Sequence, residues 1–349
     1  MNYPGIKTGL NRRACLGSLA AAGWAACQGP FLSPAWPAPE PATNQPAPAT
    51  AARIAVTLDL EMSREYPQRG MREWDYRKGD LDQATKAYSV EAARIVKSYG
   101  GKLHFFLVGQ VLEQPDVSWL TELAAAGHLI GNHTYDHVNV MAQTPEDTQF
   151  RFRRAPWLVQ GKSVERILRE NITMTREAMR IRASIADQGF RTPGGFYDGL
   201  SQRPDLQNLL LDLGFTWAST KYPAHPVGMP KSEPTEEVYT GIVQAQRQAQ
   251  PFVYPSGLVE IPMSPISDVN AFRSHFWQRE WFLRAVDDAI SWAISEKAVF
   301  DFLAHPSCMV VEDPNFETFH LIGKRVREAG EKAMLVDLDT IAQAYGKPT

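Results

Sequence analysis

The chain has 349 residues, 44% hydrophobic and 21% charged, with a formal charge of −3 and a pI near 6.3. These values describe an ordinary globular protein and give no electrostatic argument for nucleic acid binding. No stretch reaches the roughly 18 apolar residues of a transmembrane helix.

Lys7, Arg12 and Arg13 precede an alanine-rich apolar segment, Ala14 to Ala26. This is the layout of an export signal over residues 1–28, and the Arg12-Arg13 pair suggests the twin-arginine route. The expected location is periplasmic, envelope-associated or extracellular. Trp24-Ala25-Ala26-Cys27 resembles a lipoprotein cleavage site, with tryptophan where leucine is usual. Cleavage after residue 28 would remove one lysine and two arginines, taking the formal charge from −3 to −6. It would also leave Cys308 as the only cysteine, so no disulfide can form within the mature chain. Stability then rests on a packed core, for which about 300 residues are ample.

Residues 29–52 are rich in proline and alanine and read as an extended tether. Order is expected from Arg53, in a catalytic domain over 53–345. Arg53 to Glu61 alternates like a strand, with Ile54, Val56, Leu58 and Leu60 on one face and Thr57, Asp59 and Glu61 on the other. Two carboxylates at one strand end repel unless solvated or bridged by a cation. Met62 to Tyr88 reads as a long irregular loop containing Trp74, followed by a helix from Ser89 to Tyr99 capped by Ser89. Leu103 to Val108 is an apolar run typical of a strand buried on both faces, and Asp116 to Ala126 reads as a helix. The continuing alternation of strand and helix argues for a parallel sheet or barrel.

Gly127 to Ile130 reads as a strand running into a helix start at Gly131-Asn132-His133-Thr134-Tyr135-Asp136-His137. On a helical turn His133 and His137 would share a face, a spacing that lets two imidazoles bind one ion such as zinc. Asp136 lies between them as a local or supporting group. A chance surface pair has the same spacing, so the motif is weighed with its neighbours. Arg151-Phe152-Arg153-Arg154 reads as a solvated charged face, and Ser163 to Ala186 as a surface helix.

Gly189 to Phe196 contains Arg191-Thr192-Pro193-Gly194-Gly195, a strand ending where the backbone is bare. Leu206 to Leu213 is a helix stopped by Gly214, followed by a strand from Phe215 to Ser219. Trp217 on that strand is a candidate pocket-lining residue, core packing being the alternative. Gly228 to Gln250 reads as a polar surface excursion, Leu258 to Pro262 as a strand, and Ser274 to Glu296 as a helix. Ala298 to Pro306 is strand-like with His305 at its end. A helix over 316–329 and a strand-helix unit complete the chain.

The ordered acidic, His-pair, Arg-Pro-Gly and Leu-x-His elements, each at a strand end, resemble the polysaccharide deacetylases of the NodB-homology family, carbohydrate esterase family four. The resemblance covers roughly Arg53 to His305. It implies a single-domain α/β fold, an irregular (β/α) barrel of about seven parallel strands. It also implies one divalent metal, most often zinc, with cobalt or nickel as alternatives. The family's Thr-Phe-Asp-Asp falls on Thr57-Leu58-Asp59-Leu60, making Asp59 the catalytic base and placing a leucine where a metal-binding aspartate is expected. Glu61, on the same face as Asp59, replaces it, giving Glu61, His133 and His137 as the metal triad, with Asp59 as the alternative acidic ligand. Arg191 orients the base, the Gly194 N–H and Trp217 belong to the oxyanion and substrate region, and His305 is the general acid. The aspartate that partners this histidine in the family has no match near Trp217, and the role of Asp301 stays open.

The activity implied is removal of N-acetyl groups from an acetylated amino-sugar polymer. Alternatives are an amidohydrolase of small cyclic or linear amides on the same barrel, with or without metal, and a non-catalytic carbohydrate-binding relative.

Overall fold

Strand β1 (Ala52–Leu60) is buried except at the half-buried Arg53, and its alternate side chains serve two layers. Ile54, Val56, Leu58 and Leu60 enter the main core beneath the helices. Ala55 packs on the other side with Phe106 and Trp217, and Thr57 and Asp59 share that side further along. The computed structural model describes residues 50–71 and 76–346. The expected export signal, the expected linker up to residue 49 and Trp74 lie outside the described residues.

After β1 follow α1 (Gln83–Ser98), β2 (Leu103–Leu107), α2 (Ser118–Ala125), β3 (Leu129–Asn132), α3 (Phe150–Arg154), α4 (Val164–Ala183), β4 (Phe190–Phe196), α5 (Pro204–Asp212) and β5 (Trp217–Lys221). Then come α6 (Glu236–Gln246), β6 (Phe252–Val253), β7 (Val259–Glu260), α7 (Arg279–Glu296), β8 (Val299–Ala304), α8 (Pro306–Glu312), α9 (Glu317–Ala329), β9 (Ala333–Leu335) and α10 (Leu338–Tyr345). The sheet runs β6-β7-β5-β4-β3-β2-β1-β8, and β9 pairs with the first residues of β1. Among the described residues every pairing is parallel except β6 with β7. The sheet curls into a half-barrel, as expected of an irregular (β/α) barrel. In such a sheet the C-terminal strand ends converge on one face, where catalytic groups collect.

Several helices differ from the sequence reading. α1 starts six residues before Ser89, and its cap is Asp82, whose carboxylate accepts from the Thr85 N–H at 2.7 Å. Ser89 is instead buried in mid-helix, where its hydroxyl donates to the Thr85 carbonyl at 2.9 Å. Residues 228–250 are not merely a polar excursion. They contain α6, which buries Val238, Tyr239, Ile242 and Ala245 and packs against α7. Its apolar positions are interleaved with glutamines and a glycine, which hides the helical period. The helix expected from Ser274 starts only at Arg279 as α7, and a separate π-helical turn, Val269–Ser274, lies before it. By contrast α4 lies where its pattern placed it, with Ser163 accepting from the Arg166 N–H and Ile167, Leu168, Ile172 and Met179 buried.

Candidate metal and acyl-transfer site

The chain leaves β1 by a tight turn, with the Glu61 N–H donating to the Asp59 carbonyl at 3.0 Å. Both carboxylates therefore stay on the inner side, each almost fully buried, while Leu60 enters the core beneath the helices. An acid at position 60 would face away from the site, which is why the shifted acid Glu61 reaches the histidines.

The histidine motif is not the helical turn expected. His133 leaves β3 in extended continuation, its N–H donating to the Leu107 carbonyl at 3.1 Å. Thr134 and His137 then adopt left-handed backbone, with φ of 60° and 55°. Side chains satisfy this turn in place of helical hydrogen bonds: Asn132 Oδ1 accepts from the Thr134 N–H, and Thr134 Oγ1 from the Val138 N–H, both at 3.0 Å. The two imidazoles still meet, with ring centroids 5.1 Å apart. Asp136 accepts from Gln110 and Arg151 at 2.8 and 2.9 Å and so anchors the loop.

Glu61 Oε2 lies 2.6 Å from His137 Nε2 and 3.8 Å from His133 Nε2. One donor atom from each of these three residues falls within 4.8 Å of the others. His133 Nδ1 donates to the Arg191 carbonyl at 2.9 Å, which leaves its Nε2 lone pair facing the carboxylate. Burial lowers the proton affinity of both imidazoles, that of His137 to about 4, which keeps them in the neutral, ligating form. Burial alone would raise Glu61, but His137 and Lys78 outweigh it and hold the carboxyl well below its ordinary value. Oε2 is buried without a hydrogen bond of acceptable geometry. An orphaned anionic oxygen facing two imidazole nitrogens is the donor set of a divalent ion, so the residues fit the expected metal triad.

Asp59 Oδ2 lies 3.8 Å from His133 Nε2 and 3.9 Å from His305 Nε2. Its other oxygen accepts from Arg191 Nη1 at 3.1 Å. Arg191 is fully buried and donates also to Asp301 at 2.6 Å, Thr57 at 2.8 Å and Ser219 at 3.2 Å, with its guanidinium over the Phe106 ring. Asp301 is thus the second counter-charge of this arginine. Burial raises it to about 6 against the pull of Arg191.

His305 closes β8 and caps α8. Its Nδ1 lies 3.0 Å from Asp268 Oδ1, and its backbone N–H donates to Asp268 Oδ2 at 3.0 Å. The Nε2 therefore faces Asp59 and Glu61. Burial would lower this histidine, but Asp268, then Glu61 and Asp59, raise it above its ordinary value. Asp268 is the partner aspartate that had no match near Trp217. It sits in the irregular segment between β7 and the π turn, 37 residues before His305, where no periodicity marks it. Lys78 was also missed: this buried lysine places Nζ 2.5 Å from Glu61 Oε1.

Gly194 has φ of 80° and an exposed backbone, a conformation that glycine supplies without strain. Pro193 beside it and His137 line a depression of about 210 Å³ shared with Asn139, Asp147, Phe150 and Arg153. The expectation for Trp217 is corrected. It is the first residue of β5, at the opposite end of the strand from the site, 3% exposed, and its Nε1 donates to Asp339 at 2.6 Å. Such burial leaves no surface for a substrate.

Residues 80–209 match the profile of the polysaccharide deacetylase family. Among curated proteins none matches the sequence. A structure from Mycobacterium smegmatis assigned as a polysaccharide deacetylase superposes with a TM-score of 0.58 at 17% identity, over 88% of this chain and 96% of that one. A carbohydrate esterase family four pseudoenzyme from Bacillus anthracis gives 0.45 at 13% identity, over 87% and 72%. A family 4 acetyl xylan esterase from Clostridium thermocellum, in complex with a cobalt ion, gives 0.42 at 15% identity, over 83% and 90%. The Mycobacterium structure shares the fold, and the matched segment carries His133, His137, Arg191 and Gly194. Over residues 80–209 the chain is thus similar to the polysaccharide deacetylase family, and its fold is shared with the Mycobacterium smegmatis structure.

Proposed function

We propose that this chain removes N-acetyl groups from an acetylated amino-sugar polysaccharide or oligosaccharide, using a divalent ion, most readily zinc, held by Glu61, His133 and His137. The observation that carries this reading is the orphaned Glu61 oxygen facing two neutral imidazoles, with Asp59 on one side and His305 on the other. When bound, the ion supplies Lewis acidity toward water and an acyl oxygen. Asp59, tied to Arg191, takes the proton of the attacking water. The Gly194 N–H donates to the oxyanion that develops on the acyl carbon. His305, held through Nδ1 by Asp268, presents Nε2 to protonate the departing amine, which otherwise leaves poorly. Arg191 keeps Asp59 oriented from below, and its carbonyl fixes the tautomer of His133.

The test is acetate release from N-acetylglucosamine oligomers by protein of measured metal content. Asp59→Asn is expected to retain metal and lose turnover, and His133→Ala to lose both. Full activity in Asp59→Asn would remove Asp59 as base. Acetate release unaffected by chelation would refute the metal-dependent reading in favour of an amidohydrolase working without metal. Residues 1–28 serve, on this proposal, as an export signal of the twin-arginine type. Fusing them to a reporter that needs that route, with Arg12 and Arg13 changed to lysine as control, tests it.

A further inference from the structure

Glu61 has two oxygens with different surroundings. Oε2 faces the histidine pair, whereas Oε1 lies 2.5 Å from Lys78 Nζ, and both side chains are almost completely buried. Lys78 is not a long surface side chain that happens to fold inward. Its own carbonyl accepts from the Met62 N–H at 2.8 Å, which ties its backbone beside Glu61. The next residue, Gly79, lies directly on the 3-10 turn of residues 109–113: a Cβ there would fall 2.3 Å from the Gln110 carbonyl carbon. The loop carrying Lys78 is thus tied to the strand end by one backbone hydrogen bond and packed at the next residue on the 3-10 turn.

We infer that Lys78 is a positioning residue for the metal site, holding one oxygen of Glu61 so that the other is presented to the cation alongside His133 and His137. The inference rests on the divalent-ion reading of that site. A glutamate has one more rotatable bond than the aspartate expected from the family resemblance, and Glu61 stands one residue beyond the expected position, at the mouth of a turn. Left to itself it would lose side-chain freedom on binding an ion. A buried carboxylate without a counter-charge would also be costly while the ion is absent. Lys78 meets both needs: it orders the side chain beforehand and neutralises it, while leaving Oε2 open. The opposite role, a lysine that takes the place of the metal, predicts Nζ between carboxylate and imidazoles, whereas Nζ sits on the other oxygen.

The two roles give opposite signs in one experiment. Zinc and cobalt affinities of the purified chain are measured by competition with a chromophoric chelator, for wild type, Lys78→Met and Lys78→Arg, with thermal unfolding of each. Loss of an outer partner of a metal ligand typically weakens binding about 10–100-fold. Lys78→Met is expected to show that loss with a changed visible spectrum of the cobalt form, and Lys78→Arg, which keeps a cationic donor, to recover most of it. Equal or tighter binding in Lys78→Met overturns the inference. If Lys78→Met does not fold, Lys78→Arg decides: retained affinity supports the role, and loss of affinity in a folded protein overturns it. Failure of the wild type to bind either ion removes the metal reading and this inference together. Normal wild-type binding with an indifferent Lys78→Met removes only the inference.

Discussion

Replacing Arg191 by methionine removes a fully buried guanidinium while keeping much of its length. It breaks hydrogen bonds to Thr57, Asp59, Ser219 and Asp301 and leaves two carboxylates, no more than 4% exposed, without their counter-charge. Breaking a buried pair from one side costs about 3–5 kcal/mol, because the abandoned charge stays desolvated. Against a total stability of about 5–15 kcal/mol this is a large fraction. For a domain of about 300 residues it corresponds to a fall in Tm of about 5–8 °C. Urea unfolding measures the cost directly, provided the transition is two-state. Because His133 is fixed by the Arg191 backbone carbonyl, Arg191→Met should bind metal nearly as wild type while losing turnover. The double variant Arg191→Met/Asp301→Asn should recover part of the lost stability, since it neutralises one stranded carboxylate. A cost below about 1 kcal/mol for Arg191→Met, with no coupling to Asp301, would refute the view that this network is a strong buried ion pair.

Asp268→Asn should lower kcat about 10²–10⁴-fold without changing metal content, because His305 loses the group that orients its ring. Unchanged kcat would show that His305 needs no partner. Glu61→Gln should weaken zinc binding while Asp59→Asn does not. The reverse result would make Asp59 the acidic ligand. Stability should fall as the solution is acidified: burial depresses both His104 and His128 to about 4, so the unfolded chain takes up their protons first. The loss sets in near the ordinary value of 6.5, grows until about pH 4 and amounts to at most about 3 kcal/mol for each histidine. Denaturant midpoints across that range check it, and His104→Gln should flatten the slope by about one proton.

Asp59, His133, Arg191 and His305 were legible because each lies in or directly after a segment that reads as a strand, and His137 through its spacing from His133, while their roles came with the family resemblance. In a parallel sheet the ends of such strands meet on one face. Even so, the local geometry of the histidine motif was misread. A four-residue spacing suits a helix, but Asn132 and Thr134 supply side-chain hydrogen bonds that stabilise an irregular turn instead. Trp217 was misplaced for a related reason. Its strand was recognised, but its position at the start of that strand, away from the chemistry, depends on where β5 begins.

Taken alone, the order of amino acids pointed to a parallel sheet or barrel and put Asp59 and Glu61 on one strand face, since alternation along a strand is a local property. The irregular barrel and the expectation that Glu61 replaces an acid at position 60 came with the family resemblance. Only the tertiary structure paired Asp268 with His305 and Lys78 with Glu61. Both partners come from irregular segments, where no repeating period records direction, and they are put in place by packing against distant elements, as Gly79 is against Gln110.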